Sequence, residues 1–399
     1  MSTLGADTRR SLELFTPLVE SFGKGDSVDF REVVFWLKAS IRAFFAQVEG
    51  VSYALRQATL AAAERGLLSL TIKETAQLSG RKINKETGTL GGLIKGGQAA
   101  DRLKLALKYF PRVFGSSWQP DLGTRGFSEY RELQVIRNGI THPTTLENLF
   151  PVEAEKYLVP AIDWFGSQFV AMMADIGLTL GHSAHSGWAP MDLEPFRKLE
   201  IEKLPVPPGF YDEIARSSRK DLTLTRAIFS ELSRDSNRAR QFRRETNLSA
   251  SAVESSPVVQ FAGRVYVRTI FTEIEALASR AAKMLLNSAQ RREIVLPNAE
   301  KSKLESIEIV DRAEAVAKLF PQHFGDHPTA VIDDRAWFAF RESARFRDRI
   351  THPDSPEKLT LKTGTFRCLI DLHDWHSQFI IALDVGAKWV NLAEHDVDN

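Results

Sequence analysis

Residues 137–143 read Arg-Asn-Gly-Ile-Thr-His-Pro, and residues 347–353 repeat the phrase as Arg-Asp-Arg-Ile-Thr-His-Pro. The same offset of 210 residues aligns four further pairs of segments: 101–102 with 311–312, 110–115 with 320–325, 131–132 with 341–342, and 167–169 with 377–379. An unbroken register over roughly 70 residues indicates one domain that is present twice in the chain. Each copy keeps one Arg and one His at matched spacing, the arrangement expected if two half-sites meet to make one site.

Composition sets the limits within which this duplication is interpreted. A chain of 399 residues fits two or three domains, and the repeat favours two. The formal net charge of +1 excludes a polycation, so contact with nucleic acid would need a local basic patch. Cys368 is the only cysteine, which fits a reducing cytoplasm and excludes an internal disulfide. With no long apolar run and a polar segment 1–10, we expect a cytoplasmic protein without membrane contact.

Apolar residues at three- and four-residue steps dominate the sequence and predict helices. Two long helices are predicted around 33–55 and 265–281, and they correspond because Glu49 and Glu275 each follow an apolar residue in them. Their offset of 226 residues means that the first copy carries about sixteen extra residues. We place these in 79–100 as a hairpin between helices, since the glycines there lack the Lys-Ser/Thr ending of a phosphate-binding loop.

The remaining periodicity predicts the same order of helices in both copies. The predicted helices are 101–110, 127–140 and 153–176, then 303–319, 335–350 and 362–383, with a loop over 320–333. We therefore predict an all-α fold, with two related bundles of four or five helices that form an intramolecular pseudo-dimer. The predicted domains are 1–185 and 257–399, joined by an irregular linker over 186–256 that holds a basic helix.

The repeated phrase itself is not expected to be continuous helix. Arg and His lie five positions apart, which places them roughly 140° apart around a regular helix. The proline that follows each His also disfavours the α-helical conformation of that His. The sequence therefore predicts Arg in the last helical turn and His just past its end, in a turn.

Arg and His together suit the cleavage of RNA. Arg stays charged at every working pH, binds phosphate through two N–H groups, and can stabilise the negative charge that builds up when phosphate is attacked. His titrates near neutrality and can accept or donate a proton. Because RNA supplies its own nucleophile, the 2′-hydroxyl, a base, an acid and a cation are enough for cleavage without a metal or other cofactor.

The pattern Arg-(Asn/Asp/His)-x-x-x-His, followed by Pro in a helical bundle, resembles the HEPN superfamily. The resemblance is strongest over 101–169 and 311–379. It gives Arg137 and Arg347 the arginine role, and His142 and His352 the histidine role. Asn138 and Asp348 take the polar second position, from which a side chain can orient the imidazole or the neighbouring Arg.

The resemblance implies a metal-independent endoribonuclease that cuts single-stranded or loop RNA, with tRNA as a candidate, at a composite site. It also implies a role in prokaryotic phage defence or as a toxin, with RNA as substrate and a protein activator or antitoxin as partner. A homodimer is a further arrangement to test. Two alternatives stay open: a non-catalytic scaffold that binds RNA or protein, and a toxin held inactive by a separate partner.

Several other charged residues are candidates for supporting roles. Five arginines near the motifs could bind neighbouring phosphates: Arg125, Arg131, Arg341, Arg345 and Arg349. For residues 131–132 and 341–342, which each read Arg-Glu, a structural ion pair is the simpler interpretation. Glu49 and Glu275 are expected at exposed helix edges, with pairing to a motif Arg as the alternative. The arginine-rich stretch 234–244 is expected to be a solvated helix face, with an RNA-guiding surface as the alternative. No metal site is predicted.

Overall fold

The computed structural model describes residues 2–84, 86–93, 99–141, 147–178, 207, 224–245, 254–306, 308–324, 332–351 and 359–384. Within them the chain forms twelve α-helices and one two-stranded hairpin, which confirms the all-α prediction. Among these described residues, no helix combines the length and the apolar character needed to cross a bilayer.

The chain divides into two compact units. Unit 1 consists of Met1–Arg137, Pro151–Val206 and Arg349–Leu359. Unit 2 consists of Asn138–Phe150, Pro207–Asp348 and Thr360–Asn399. The boundaries of the units therefore fall inside both repeated phrases, after Arg137 and after Asp348. The pseudo-dimeric arrangement and the domain bounds inferred from the repeat stay predictions.

Six helices belong wholly or mainly to unit 1. They are α1 (Ser2–Gly23), α2 (Phe30–Glu64), α3 (Ile72–Ser79), α4 (Ala99–Tyr109), α5 (Arg125–Thr141) and α6 (Glu155–Asp175). Short 3₁₀ turns cover Pro111–Phe114 and Glu147–Leu149. Strands β1 (Arg81–Ile83) and β2 (Leu90–Leu93) pair antiparallel directly after α3, so the predicted hairpin is present in the extra segment of the first copy.

Six helices likewise belong wholly or mainly to unit 2. They are α7 (Leu224–Glu245), α8 (Pro257–Gln290), α9 (Asn298–Leu304), α10 (Ile309–Phe324), α11 (Asp334–Thr351) and α12 (Thr363–Asp384). Each copy thus has five long helices and one short one, against the four or five predicted. The long helices α2 and α8 correspond as expected, and both motif helices end at the repeated threonine, Thr141 or Thr351.

Helix α7 lies in the stretch that the sequence assigns to the linker, but it is the first long helix of unit 2. It packs against α8 as α1 packs against α2. Leu232 and Ala239 are buried in that contact, and the ring of Phe242 meets Phe261 edge-on at 6.0 Å. The sequence hides this role because arginines crowd the helix, so its narrow apolar stripe is easily mistaken for part of a solvated face.

The predicted loop over 320–333 was wrong at its start, because α10 continues through Pro321 to Phe324. In the first copy the equivalent Pro111 begins a 3₁₀ turn instead. A proline removes one helical hydrogen bond. In α10, Phe320, Pro321 and Phe324 are all buried, and this burial offsets the loss.

Both units build their cores from equivalent aromatic positions. In unit 1 the ring of Tyr130 lies 5.5 Å from Phe45 and 5.5 Å from Trp164. In unit 2 Phe340 takes the place of Tyr130, and its ring lies 5.7 Å from that of Phe271, the counterpart of Phe45. The repeated Ser-Gln-Phe phrase also has a structural role, because Gln168 accepts a hydrogen bond from the Asp121 backbone N–H and Gln378 accepts one from Asp333.

Glu155, in the first turn of α6, is a buried carboxylic acid. It is 7% exposed, and neither carboxylate oxygen has a hydrogen-bond partner among the described residues. The first turn of a helix favours a negative charge by about 0.3–1 kcal/mol, which is less than the cost of burying an unpaired charge. The cost of burial therefore exceeds the favourable effect of the helix terminus, and burial raises the pKa of Glu155 to about 8.

We expect this acid to make stability depend on pH in the opposite sense to most carboxylates. Because the folded pKa lies above the unfolded value near 4.5, the contribution is complete below pH 4.5 and is lost as pH rises through about 8. The loss amounts to a few kcal/mol. Urea unfolding of Glu155→Gln should show a flatter pH profile over this window than the wild type, with Glu153→Gln on the exposed surface as the control. Superimposable profiles for wild type and Glu155→Gln would contradict the assignment.

Candidate functional site

The two motif arginines lie in the last turns of α5 and α11, as the sequence predicts. Arg137 precedes the end of α5 at Thr141 by four residues, and Arg347 precedes the end of α11 at Thr351 by four. His142 and His352 each follow the last helical residue and lie outside the described residues. The described part of the site is therefore its arginines and the side chains that hold them.

In unit 1, Arg137 is paired with a carboxylate from the middle of α2. Its Nη2 lies 3.1 Å from Oε1 of Glu49. The Glu49 side chain is 10% exposed and that of Arg137 29% exposed, so the pair joins the core to the surface. The guanidinium also lies 5.9 Å from the ring centroid of Phe45, one turn before Glu49. A partly buried pair of this kind fixes the direction of the Arg side chain.

Unit 2 repeats this pairing with equivalent residues. Nη2 of Arg347 donates to Oε1 of Glu275, which lies on α8 at the position that Glu49 takes on α2. The Arg347 side chain is 31% exposed, close to the value for Arg137. The preferred interpretation of Glu49 and Glu275 as exposed edge residues was therefore wrong, and the alternative is confirmed. A lone carboxylate within an apolar helix needs a partner, and the repeated phrase supplies it.

The second motif position differs between the copies. Nη1 of Arg347 lies 3.0 Å from Oδ1 of Asp348, so this carboxylate orients its Arg neighbour, one of the two roles predicted for it. Asn138, its counterpart, is exposed and carries no charge. Arg347 therefore contacts two carboxylates, Glu275 and Asp348.

Tyr130 adds a buried hydroxyl beside the first pair. Burial raises the pKa of Tyr130, the Glu49 carboxylate raises it further, and Arg137 acts in the opposite direction. The hydroxyl has no hydrogen-bond partner among the described residues. Phe340 stands at the equivalent position of unit 2, so this hydroxyl is specific to the first copy.

The other candidate arginines are mostly engaged in ion pairs. Arg341 pairs with Glu314 on α10 and Arg345 pairs with Glu342, so the structural ion pair expected at 341–342 is present. Arg125 pairs with Glu129 at 2.7 Å, and Arg349 is half-buried. Arg131 is exposed, and the ion pair expected for it is not present among the described residues.

The arginine-rich helix α7 contributes to the interior of unit 2. The guanidinium of Arg243 is buried, 5.4 Å from the Tyr266 ring and 5.5 Å from the Phe366 ring. Arg240 contacts His373. The expectation of a wholly solvated face was therefore wrong for these two positions, since aromatic rings and a His cover their cations. Arg234 and Arg244 are exposed, as expected.

A polar cluster that the sequence did not indicate ties α7 to α8. The fully buried Glu273 accepts a hydrogen bond from Ser233 of α7, and its other oxygen lies 3.1 Å from Nε2 of His376. Burial alone would raise the pKa of Glu273, but His376, Ser233 and Ser236 hold this pKa below its ordinary value. In unit 1 the counterpart Gln47 accepts from Thr8 of α1 at 2.8 Å.

Each long central helix, α2 or α8, therefore carries two polar side chains, two residues apart, that contact different neighbouring helices. Gln47 and Glu273 anchor the neighbouring helix, while Glu49 and Glu275 hold the motif Arg. The signal in the sequence is a pair of polar residues inside an apolar run, which by itself does not say where each side chain points. Among the described residues, no group of His, Cys, Asp and Glu could hold a metal ion.

Comparison with protein-family models, curated proteins and solved structures gave no significant match to this chain.

Proposed function

We propose that this chain is a metal-independent endoribonuclease of the HEPN type, acting in the cytoplasm on single-stranded or loop RNA. The observation that carries the proposal is the duplicated ion pair. The motif arginines lie in the last turns of the equivalent helices α5 and α11, and equivalent glutamates, Glu49 and Glu275, hold them. A structural ion pair needs no His five residues later, but both copies have one, as His142 and His352.

The chemistry follows from these residue types. One His removes the proton of the 2′-hydroxyl, whose oxygen attacks the adjacent phosphorus. The bond from phosphorus to the 5′-oxygen breaks, and the other His donates a proton to that leaving oxygen. A motif Arg stabilises the negative charge that accumulates on the phosphoryl oxygens. The products are a 2′,3′-cyclic phosphate and a 5′-hydroxyl. The composite site requires that both halves act on one phosphate.

Wild-type protein incubated with tRNA or a stem-loop RNA in EDTA is expected to cut the RNA. Analysis of the end groups should find a 2′,3′-cyclic phosphate and a 5′-hydroxyl on the fragments. Cleavage that appears only after addition of a divalent ion, or that leaves a 5′-phosphate, would contradict the mechanism. Expression of the active protein should also slow bacterial growth, in keeping with the proposed role in phage defence or as a toxin with a protein partner.

A non-catalytic scaffold that binds RNA or protein is the second candidate. It is favoured by the carboxylates on both motif arginines, because a guanidinium that already binds Glu has fewer N–H groups to offer a phosphate. RNA binding that survives His142→Ala and His352→Ala, together with no cleavage by the wild type, would select the scaffold.

A further inference from the structure

The two halves of the proposed site are not electrically equivalent. In the first copy, Arg137 pairs with Glu49, and the next residue is the neutral Asn138. In the second copy, Arg347 contacts both Glu275 and Asp348, so the residue that follows the motif Arg adds a carboxylate there. The difference lies at the second position of the repeated phrase, which is Asn138 in the first copy and Asp348 in the second.

A further arginine on the motif helix of the second copy, α11, is also paired with a carboxylate. Arg341 of α11 is paired with Glu314 of α10. The counterparts of these two residues in the first copy are Arg131 and Lys104, which are both basic and both exposed. Neither Arg131 nor Lys104 has an ion pair to any described residue. Glu314 thus neutralises Arg341 in the second copy, whereas its counterpart Lys104 adds a second positive charge in the first copy.

The motif helix of the second copy has two arginines that the motif helix of the first copy lacks. Arg345 replaces Val135 and pairs with Glu342. Arg349 replaces Gly139 and is half-buried. Among the basic residues compared, the two that are exposed without an ion pair to a described residue, Lys104 and Arg131, therefore belong to the first copy.

We infer that the two motif arginines have different tasks: Arg137, assisted by the exposed cations Lys104 and Arg131 of the first copy, binds the substrate phosphates, whereas Arg347 is a positioning residue. Glu275 and Asp348 hold the Arg347 guanidinium and keep the end of α11 in place. A phosphodiester carries a negative charge, so it is attracted to the first copy and meets an additional carboxylate at the second. This inference rests on the proposed function, because it assigns the RNA phosphate to one half of that site.

The sharpest test exchanges the second motif position between the copies. Asn138 is exposed and the Asp348 side chain is 53% exposed, so Asn138→Asp and Asp348→Asn are expected to fold normally. Asn138→Asp places a carboxylate beside Arg137 and should weaken binding of a 2′-O-methylated stem-loop RNA roughly three- to ten-fold, as expected of an exposed charge. Asp348→Asn should change binding less than two-fold. The weakening should appear in KM more than in kcat.

The arginines themselves provide the second measurement. Arg137→Ala should lower kcat/KM for RNA cleavage by about 100-fold or more, as expected when a phosphate-stabilising group is lost. Arg347→Ala should lower it less than ten-fold but reduce the melting temperature. Arg137→Lys and Arg347→Lys keep the charge and serve as variants that preserve the fold, and only Arg137→Lys should lower kcat/KM more than ten-fold.

The outcomes separate this inference from the proposed function. Equal losses for the matched changes, with cleavage by the wild type intact, overturn the division of tasks and leave the nuclease standing. Wild-type protein that binds the RNA but never cleaves it overturns the nuclease, while a selective loss of binding in Asn138→Asp still supports the division. A wild-type protein that neither binds nor cleaves the RNA overturns both.

Discussion

RNA cleavage falls by about 1,000-fold when either His142 or His352 is replaced by Ala, if both histidines act on one phosphate. A positioned acid or base contributes roughly 100- to 10,000-fold, and neither His can take both parts in one turnover. Each single change should therefore cost nearly as much as the double change, because residues that act as a unit are not additive.

The measurement is the single-turnover rate on a stem-loop RNA in EDTA, recorded from pH 5 to 9. The wild type should give a bell-shaped profile, since one His must be neutral and the other protonated. His323→Ala, at a half-buried position of α10 away from the motif, is the matched control and should leave the rate unchanged. A silent change at either motif His would remove the composite site, even if the other His proved essential.

The ends of the two motif helices and the match between the long helices were predictable because they depend on local rules. The last turns of α5 and α11 end at Thr141 and Thr351, where the repeated His-Pro makes further helix unfavourable. The offset of 226 residues between Glu49 and Glu275 correctly matched α2 with α8. In each case a residue type or a spacing constrains the backbone directly.

The partners of the charged residues were not predictable to the same degree. The sequence left two interpretations of Glu49 and Glu275, an exposed helix edge or a pair with the motif Arg. The packing of α5 on α2 and of α11 on α8 decides between them in favour of the pair. An ion pair was expected for Arg341, but its partner, Glu314 of α10, could not be named from the sequence. Sequence periodicity says which face of a helix is polar, whereas the partner depends on which neighbouring helix presents an opposite charge there.

Truncation of Trp375 is the change expected to affect folding most. Its side chain is fully buried in α12, and its ring stacks on Phe340 at 3.8 Å and on Phe379 at 4.8 Å. Replacement of a buried Trp by Ala removes this contact area and leaves a cavity that the rigid neighbouring rings cannot fill. Trp375→Ala should therefore lower the free energy of unfolding by about 3–5 kcal/mol.

Two variants in the same helix make this prediction specific. Trp375→Phe keeps an aromatic ring and removes an indole N–H that has no hydrogen-bond partner among the described residues, so it should cost under about 1.5 kcal/mol. Ile370→Ala lies on the same helix at a side chain that is 47% exposed and should cost under about 1 kcal/mol. Urea unfolding monitored by circular dichroism compares the three variants with the wild type. If Trp375→Ala costs no more than Ile370→Ala, the stacked rings do not form the core of unit 2.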